Sequence, residues 1–164
     1  MKNKAILFIH GFMGHPDEFH ILNDLFSAWQ YDVHTFVLKG HEGGKIRNAT
    51  RYDWEEDCIR KIETLKQAGY KDIVLVGHSM GGVLASIMAN RYKEIVKKLI
   101  LIDPAFEYLK MKNRKLMIIP SINQSIKVAL DVKNKERSSQ IWRCSISAIN
   151  QFCLLVKEHG YDIL

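Results

Sequence analysis

The stretch that most constrains the fold is residues 74–85, where an apolar run enters Gly-His-Ser-Met-Gly and leaves through small and apolar residues. The valine and leucine residues in front predict a buried strand, and the residues behind predict a helix. A turn this short has no room for side chains at its flanks, and Gly77 and Gly81 meet that need because glycine has no Cβ. The pattern therefore predicts a strand, a tight turn and a helix, with the Ser79 hydroxyl exposed at the carboxyl edge of a sheet.

A Gly-x-Ser-x-Gly sequence between a strand and a helix is typical of a nucleophile elbow. The backbone N–H of Met80 would then lie at a helix N-terminus, where it can stabilise a developing oxyanion. The five letters alone also occur by chance in loops, and it is the flanking strand and helix that favour the elbow. A phosphate-binding loop fits less well, because no Lys followed by Ser or Thr comes after the glycines.

The first hundred residues alternate between apolar runs and amphipathic segments. They predict strands at residues 5–9, 31–38, 73–76 and 99–102, and helices at residues 18–29, 54–68 and 82–92. Asp17 and Asp53 fit as helix N-caps, and Gly69 fits as the residue that closes the second helix. Strands and helices in alternation predict an α/β fold, with four parallel strands and helices on both faces of the sheet.

The character of the sequence changes at Ala105. Residues 106–137 are basic, contain methionine and show no regular period. Ser138 or Ser139 can cap a long amphipathic helix that runs from about residue 140 to residue 159. Its apolar positions include Ile141, Cys144, Ile149, Phe152 and Val156. The sequence therefore predicts a core at residues 1–104 and a helical cap at residues 105–160.

Composition narrows the classes of function. The 164 residues suffice for one domain with a core, and 24 Lys and Arg against 18 Asp and Glu give a net charge of +6. No dense basic run with interleaved aromatic residues indicates nucleic acid, and no apolar run approaches the length of a membrane span. The three cysteines form no cluster with histidine, so no metal or cofactor is expected. We expect reduced thiols, a cytoplasmic location and a small-molecule substrate.

Three segments together carry a family resemblance: the loop at residues 10–14 (His-Gly-Phe-Met-Gly), the Lys-Gly-His at residues 39–41, and the elbow. With these segments the chain resembles the α/β-hydrolase family, and within it small bacterial carboxylesterases and serine aminopeptidase-type or monoacylglycerol lipase-like hydrolases. The resemblance implies that Ser79 is the nucleophile toward an ester carbonyl. It also implies an oxyanion hole made by the backbone amides of Phe12 and Met80, and a cap that covers an acyl pocket.

The same resemblance gives the histidines of these segments other roles. His10 is expected to order the oxyanion loop, and His41 matches a loop histidine that is structural. His78 belongs to the elbow and receives no role in proton transfer.

One part of the family pattern has no counterpart here. Members continue after the cap with a strand that carries the triad Asp and a later loop that carries the His. The chain ends at Leu164, so we expect a C-terminally truncated hydrolase. Asp103 follows the strand after the elbow and is a candidate acid, although Asp-Pro is also a common strand terminator. His159 is the last histidine and lies at the predicted end of the cap helix.

Three hypotheses remain open at this point. The first is an impaired serine hydrolase for short or medium acyl esters, and the second is an inactive remnant. The third is a binding module that keeps the oxyanion pocket without chemistry, or a fragment that a separate C-terminal chain complements. If the family's next strand is absent, the apolar strand at residues 99–102 has an exposed edge. We expect poor solubility, self-association through this edge, or its coverage by residues 161–164.

Overall fold

The computed structural model describes residues 4–42, 46, 48–106, 111–112, 115–116 and 145–159. Its strands and helices are β1 (Lys4–Ile9), a 3₁₀ turn (Pro16–Phe19), α1 (His20–Ala28), β2 (Asp32–His34), α2 (Arg51–Gln67), β3 (Asp72–His78), α3 (Met80–Arg91), β4 (Val96–Ile102), β5 (Met111–Lys112), β6 (Lys115–Leu116) and α4 (Ile146–His159).

Four strands form one parallel sheet in the order β2-β1-β3-β4. β1 lies inside the sheet, where Leu7 pairs with His34 on one side and with Leu75 on the other. β3 pairs on its second side with β4, so that His78 lies opposite Ile102. The carboxyl ends of β1, β3 and β4 therefore meet at one edge, where parallel sheets bind ligands. The predicted fold class is confirmed.

Helices cover both faces of this sheet, because successive side chains of a strand point to opposite faces. On one face Phe8 packs against Phe19, with ring centroids 4.7 Å apart, beside the partly buried Leu22 and Phe26 of α1. The other face packs against α2, α3 and α4 in a second cluster of buried side chains. That cluster includes Leu7, Leu75, Trp54, Ile62, Leu84, Met88 and Leu155.

α2 begins earlier than the sequence predicts. Thr50 is its N-cap, and a capping box joins Thr50 and Asp53 reciprocally. Asp53 is therefore the third residue of the helix rather than its cap. The ammonium of Lys39 and the hydroxyl of Thr50 lower the pKa of Asp53 to about 2. Gly69 follows the helix with φ 91°, the left-handed conformation expected of a closing glycine.

The first helix and second strand also differ from prediction. His15 is the N-cap of the 3₁₀ turn, which places Asp17 inside the turn rather than at a cap. β2 has three residues, although an apolar run predicts a strand through Leu38. The Leu38 N–H donates to Nε2 of His10 at 3.0 Å, so this part of the chain bonds to a side chain and leaves the sheet ladder.

The helix predicted at residues 140–159 is present where the structure describes it, as α4 from Ile146 to His159, and its role as a cap stays a prediction. The Ser145 hydroxyl accepts the Ala148 N–H at 3.1 Å and so takes the capping position. Ser138, Ser139, Ile141 and Cys144 lie outside the described residues. Phe152 and Val156 are buried as predicted, whereas Ile149 is 39% exposed. A short antiparallel pair, β5 and β6, lies in the segment without a regular period.

β4 lies at the end of the sheet order. The side chains of Leu99, Ile100 and Leu101 are 36–39% exposed there, as expected for an apolar edge strand. Residues 161–164 lie outside the described part of the chain. Self-association through this edge stays a prediction.

Candidate active site

Ser79 occupies the turn between β3 and α3 with φ 52° and ψ −117°. A non-glycine residue in such a conformation costs about 1–3 kcal/mol and persists only where its surroundings fix it. Its N–H donates to the Ile102 carbonyl at 3.0 Å, and its carbonyl accepts from Gly82 at 3.0 Å and Ala105 at 3.1 Å. The strained backbone of the serine is therefore held by α3 and by the chain on both sides of Asp103.

Three glycines make this turn sterically possible. A Cβ on Gly77 would lie 2.6 Å from the Gly81 carbonyl carbon, and one on Gly81 would lie 2.6 Å from the His10 oxygen. A Cβ on Gly82 would lie 2.8 Å from Cβ of Pro104. These contacts give a physical reason for the glycines on which the sequence prediction rests.

The loop after β1 packs directly on Ser79, because a Cβ on Gly11 would lie 3.1 Å from the serine Cβ. The Gly11 carbonyl accepts the Gly14 N–H at 2.9 Å, which closes a β-turn with Phe12 at its second position. This turn does not use the Phe12 N–H. Met80 is the first residue of α3, so its N–H has no intrahelical acceptor. The loop of Phe12 and the elbow of Met80 are thus brought to one place.

His10 holds the other end of this loop. It is 1% exposed, and burial lowers its pKa to about 4. The Leu38 N–H donates to Nε2, so Nε2 carries no proton. The proton is therefore on Nδ1, which donates to the Gly11 carbonyl at 2.9 Å. This neutral tautomer fixes the peptide between Gly11 and Phe12, as expected of a histidine that orders the loop.

Glu18 joins the loop to the elbow, a contact that the sequence did not predict. Its Oε1 accepts the Gly11 N–H at 3.2 Å and Nδ1–H of His78 at 2.9 Å. Sixty residues separate Glu18 from His78. No local spacing pattern relates residues so far apart, and Glu18 was predicted only as the start of a helix.

α4 lies against the same loop. The ring of Phe152 stacks on the ring of Phe12 with centroids 4.9 Å apart and an angle of 8° between the planes. Trp54 and His41 complete an aromatic cluster, each with its centroid about 6 Å from that of Phe12. His41 is buried within it, and burial lowers its pKa. α4 therefore packs on the loop that contains Phe12, the residue predicted as an oxyanion donor.

Polar contacts fasten α4 to the start of α2. The guanidinium of Arg51 bonds both carboxylate oxygens of Glu158, at 2.7 and 2.8 Å, and also Oε1 of Gln151 at 3.1 Å. Nε2 of His159 lies 3.6 Å from Oε1 of Glu55, whose pKa burial raises. His159 is thus directed at α2.

All seven histidines of the chain fall in the described residues. The six apart from His34 contact backbone carbonyls or carboxylates, and the ring of His34 packs on that of Tyr70. Within the described residues no hydrogen bond joins the Ser79 hydroxyl to any of them. The structure therefore supplies a serine and candidate oxyanion donors but places no imidazole base at the serine.

Asp103 follows β4 with φ 43° and an exposed side chain. It lies between Ile102 and Ala105, whose backbones both bond to Ser79, so its backbone is beside the elbow. Its carboxylate forms no hydrogen bond with another described residue. Its role as an acid stays a prediction.

Other reactive groups do not converge here. Cys58 is buried, and burial raises the pKa of its thiol and that of Cys153. Cys144 is outside the described residues. Over the described ranges no three His, Cys, Asp or Glu side chains come together as metal ligands would. The described helices include none with the length and apolarity that crossing a membrane requires.

Comparison with known proteins places this geometry in context. A family model described as the alpha/beta hydrolase fold matches residues 4–141. The human (lyso)-N-acylphosphatidylethanolamine lipase is 36% identical over 103 residues, which cover 60% of this chain and 30% of the lipase. A carboxylesterase of Bacillus subtilis strain 168 is 29% identical over 85 residues, covering 51% of this chain and 35% of the esterase.

A solved structure from work on two metagenome-derived lipolytic enzymes, LipS and LipT, superposes with a TM-score of 0.59 at 22% identity. The match covers 80% of this chain and 49% of that one, and at this identity it shows the shared fold. The chain thus matches about a third of the length of the two relatives and about half of this structure.

Proposed function

The chain belongs to the alpha/beta hydrolase family, and on that premise we propose that it is a serine hydrolase of the carboxylesterase type. Its substrates would be short or medium acyl esters, cleaved through an acyl-enzyme on Ser79. One observation above all supports the proposal: Ser79 holds a left-handed backbone at a strand-to-helix turn, with Gly11 of the preceding loop packed on it. Esterase and lipase relatives support the reaction type.

In the proposed reaction the Ser79 oxygen attacks the ester carbonyl carbon and gives its proton to solvent water, which later protonates the leaving alkoxide. The carbonyl oxygen becomes an oxyanion, which the N–H groups of Phe12 and Met80 would stabilise. The tetrahedral intermediate collapses, the alcohol leaves with a proton, and the acyl group stays on the serine. Water then attacks the acyl-enzyme, releasing the carboxylic acid and the serine.

The aromatic cluster around Phe12 supports an uncharged acyl chain. The ring of Phe12 belongs to the loop that contacts the serine, and the ring of Phe152 from α4 stacks on it. A carboxylate or phosphate in such a place would lose its hydration without gaining a cationic partner from these rings. We therefore assign the proposed site to apolar acyl groups rather than to charged ones.

The rate of ester hydrolysis that we propose for these 164 residues is low, because in the described residues no histidine forms a hydrogen bond with the Ser79 hydroxyl. Loss of the triad base costs a serine hydrolase several orders of magnitude, while oxyanion donors and binding alone retain roughly 10³-fold over water. We accordingly expect slow turnover that depends on the serine.

The test is hydrolysis of p-nitrophenyl butyrate together with labelling by a fluorophosphonate probe. Ser79→Ala should abolish both, and Ser27→Ala, which changes an exposed serine in the same way, should retain both. If the folded protein shows neither labelling nor turnover above that of Ser79→Ala, the hydrolase proposal fails. The inactive-remnant and binding hypotheses then remain.

A further inference from the structure

The contact between Glu18 and the elbow has a geometry that a surface ion pair does not require. A single oxygen, Oε1, accepts the backbone N–H of Gly11 and Nδ1–H of His78. The other carboxylate oxygen packs on the same loop, because a Cβ on Gly14 would lie 2.5 Å from it. The side chains of Glu18 and His78 are 25% and 32% exposed, so water screens the contact only in part.

The two ends of this contact differ in how firmly the backbone holds them. His78 ends β3, where it is paired with Ile102 of β4, and the preceding Gly77 is paired with Ile9 of β1. Its backbone is therefore fixed from both sides. Gly11 belongs to a loop, and its N–H finds its acceptor in the Glu18 side chain. The Glu18 carboxylate thus links Gly11, a loop residue, to His78, whose backbone is held in the sheet immediately before Ser79.

The tied residue determines where the proposed oxyanion donor lies. The peptide between Gly11 and Phe12 is planar and trans, so a carbonyl held in one direction fixes the N–H in the opposite direction. His10 and Gly14 donate to the carbonyl of this peptide, and Glu18 accepts the N–H of Gly11, which belongs to the preceding peptide. Without Glu18, Gly11 keeps its carbonyl bonds and its packing on Ser79 but loses the hydrogen bond that ties it to the elbow. Packing alone then holds the Phe12 N–H relative to Ser79, so its position becomes less restricted.

We propose that Glu18 is a positioning residue that, through His78, fixes the oxyanion loop against the nucleophile elbow. This inference rests on the proposed function and adds to it a residue that touches neither the substrate nor the reacting atoms. A donor held in place before the reaction stabilises the transition state more than the bound ester. Removal of the Glu18 side chain should therefore lower kcat and leave KM nearly unchanged.

The test compares Glu18→Ala and Glu18→Gln with Glu56→Ala, which removes an exposed carboxylate from α2. In p-nitrophenyl butyrate hydrolysis, kcat of Glu18→Ala should fall roughly 10- to 100-fold. Complete removal of an oxyanion donor typically lowers kcat by about 100-fold or more, so the expected loss does not exceed that effect. KM should change by less than about 3-fold. Glu18→Gln keeps an acceptor oxygen and should recover a large part of the rate, and Glu56→Ala should match the wild type.

A second readout does not depend on turnover. Hydrogen exchange of the Gly11 amide, followed by NMR, should become about tenfold faster or more in Glu18→Ala and His78→Ala, with amides of β3 unchanged. Unchanged Gly11 exchange in Glu18→Ala overturns the positioning role, whatever happens to the rate. Equal kcat in Glu18→Ala and wild type also overturns it.

The two proposals can fail separately. If the wild type shows no Ser79-dependent turnover, the proposed function fails, and the exchange of the Gly11 amide alone decides whether Glu18 holds the loop. If turnover depends on Ser79 but not on Glu18, the hydrolase stands and the positioning residue does not.

Discussion

Acidification is expected to destabilise the protein through His10, the buried histidine behind the oxyanion loop. Its Nε2 accepts the Leu38 N–H, and its Nδ1–H donates to the Gly11 carbonyl, so both ring nitrogens are used by the neutral form. Protonation of Nε2 would put two donors face to face in a site that is 1% exposed. The folded state therefore binds this proton much less readily than the unfolded chain does.

The magnitude follows from the two pKa values. Burial lowers the pKa of His10 from its ordinary 6.5 to about 4 in the folded protein. Between these values the unfolded chain binds more protons, so stability falls as the pH falls. The stabilisation that neutral His10 contributes is fully present above pH 6.5 and is lost as the pH falls toward 4. It amounts to about 3 kcal/mol in total, and about 2 kcal/mol of it is lost between pH 7 and pH 5.

Urea unfolding followed by circular dichroism at pH 7 and pH 5 measures this loss. His10→Gln offers an amide N–H and a carbonyl in place of the two ring nitrogens and does not titrate. It should be less stable than the wild type at pH 7 but should lose about 2 kcal/mol less on going to pH 5. His20→Gln removes an exposed histidine and should follow the wild type. The reasoning is refuted if His10→Gln and wild type lose stability in parallel, because other groups, such as the buried His41 and the carboxylates, then account for the whole effect.

Two further predictions concern the elbow and the cap helix. Gly81→Ala should lower the free energy of unfolding, measured in urea, by about 4 kcal/mol or more, because the new Cβ would clash with backbone atoms. Gly69→Ala has nothing within 4 Å of the new Cβ and should lose only about 1–2 kcal/mol, the cost of a left-handed backbone. Equal losses in the two variants would contradict the steric account of the elbow. Phe152→Ala removes the stacked contact with Phe12 and should lower the free energy of unfolding by about 3–5 kcal/mol, and Phe152→Leu should lower it less. In Phe152→Ala, hydrogen exchange should become faster throughout α4. Unchanged exchange in α4 would show that this ring does not hold the helix.

The sequence was sufficient for the sheet and the elbow because both depend on local rules. A continuous apolar run at β1 predicts a strand buried on both faces, and strands that alternate regularly with helices typically pair in parallel. The glycines around Ser79 follow from steric limits within a few residues. The boundaries were less predictable: Leu38 reads as strand, yet its N–H bonds to His10, a residue 28 positions away.

Side-chain contacts between distant segments could not be read from the sequence. Glu18 and Arg51 look like ordinary surface charges at the starts of helices, and only the fold brings them to His78 and Glu158. Phe152 was predicted to be apolar and inward, but its stacking partner Phe12 lies 140 positions earlier in the chain. Such pairs have no period and no fixed spacing, so no local pattern can reveal them.

The sequence by itself determined that Ser79 lies in a glycine-flanked turn between a parallel strand and a helix, because sterics and periodicity act over a few residues. The tertiary structure decided what surrounds that serine. It packed Gly11 on Ser79, fixed the tautomer of His10, and directed His159 at Glu55 of α2. These outcomes depend on how helices and loops are oriented in three dimensions, which is set by the packing of the whole core.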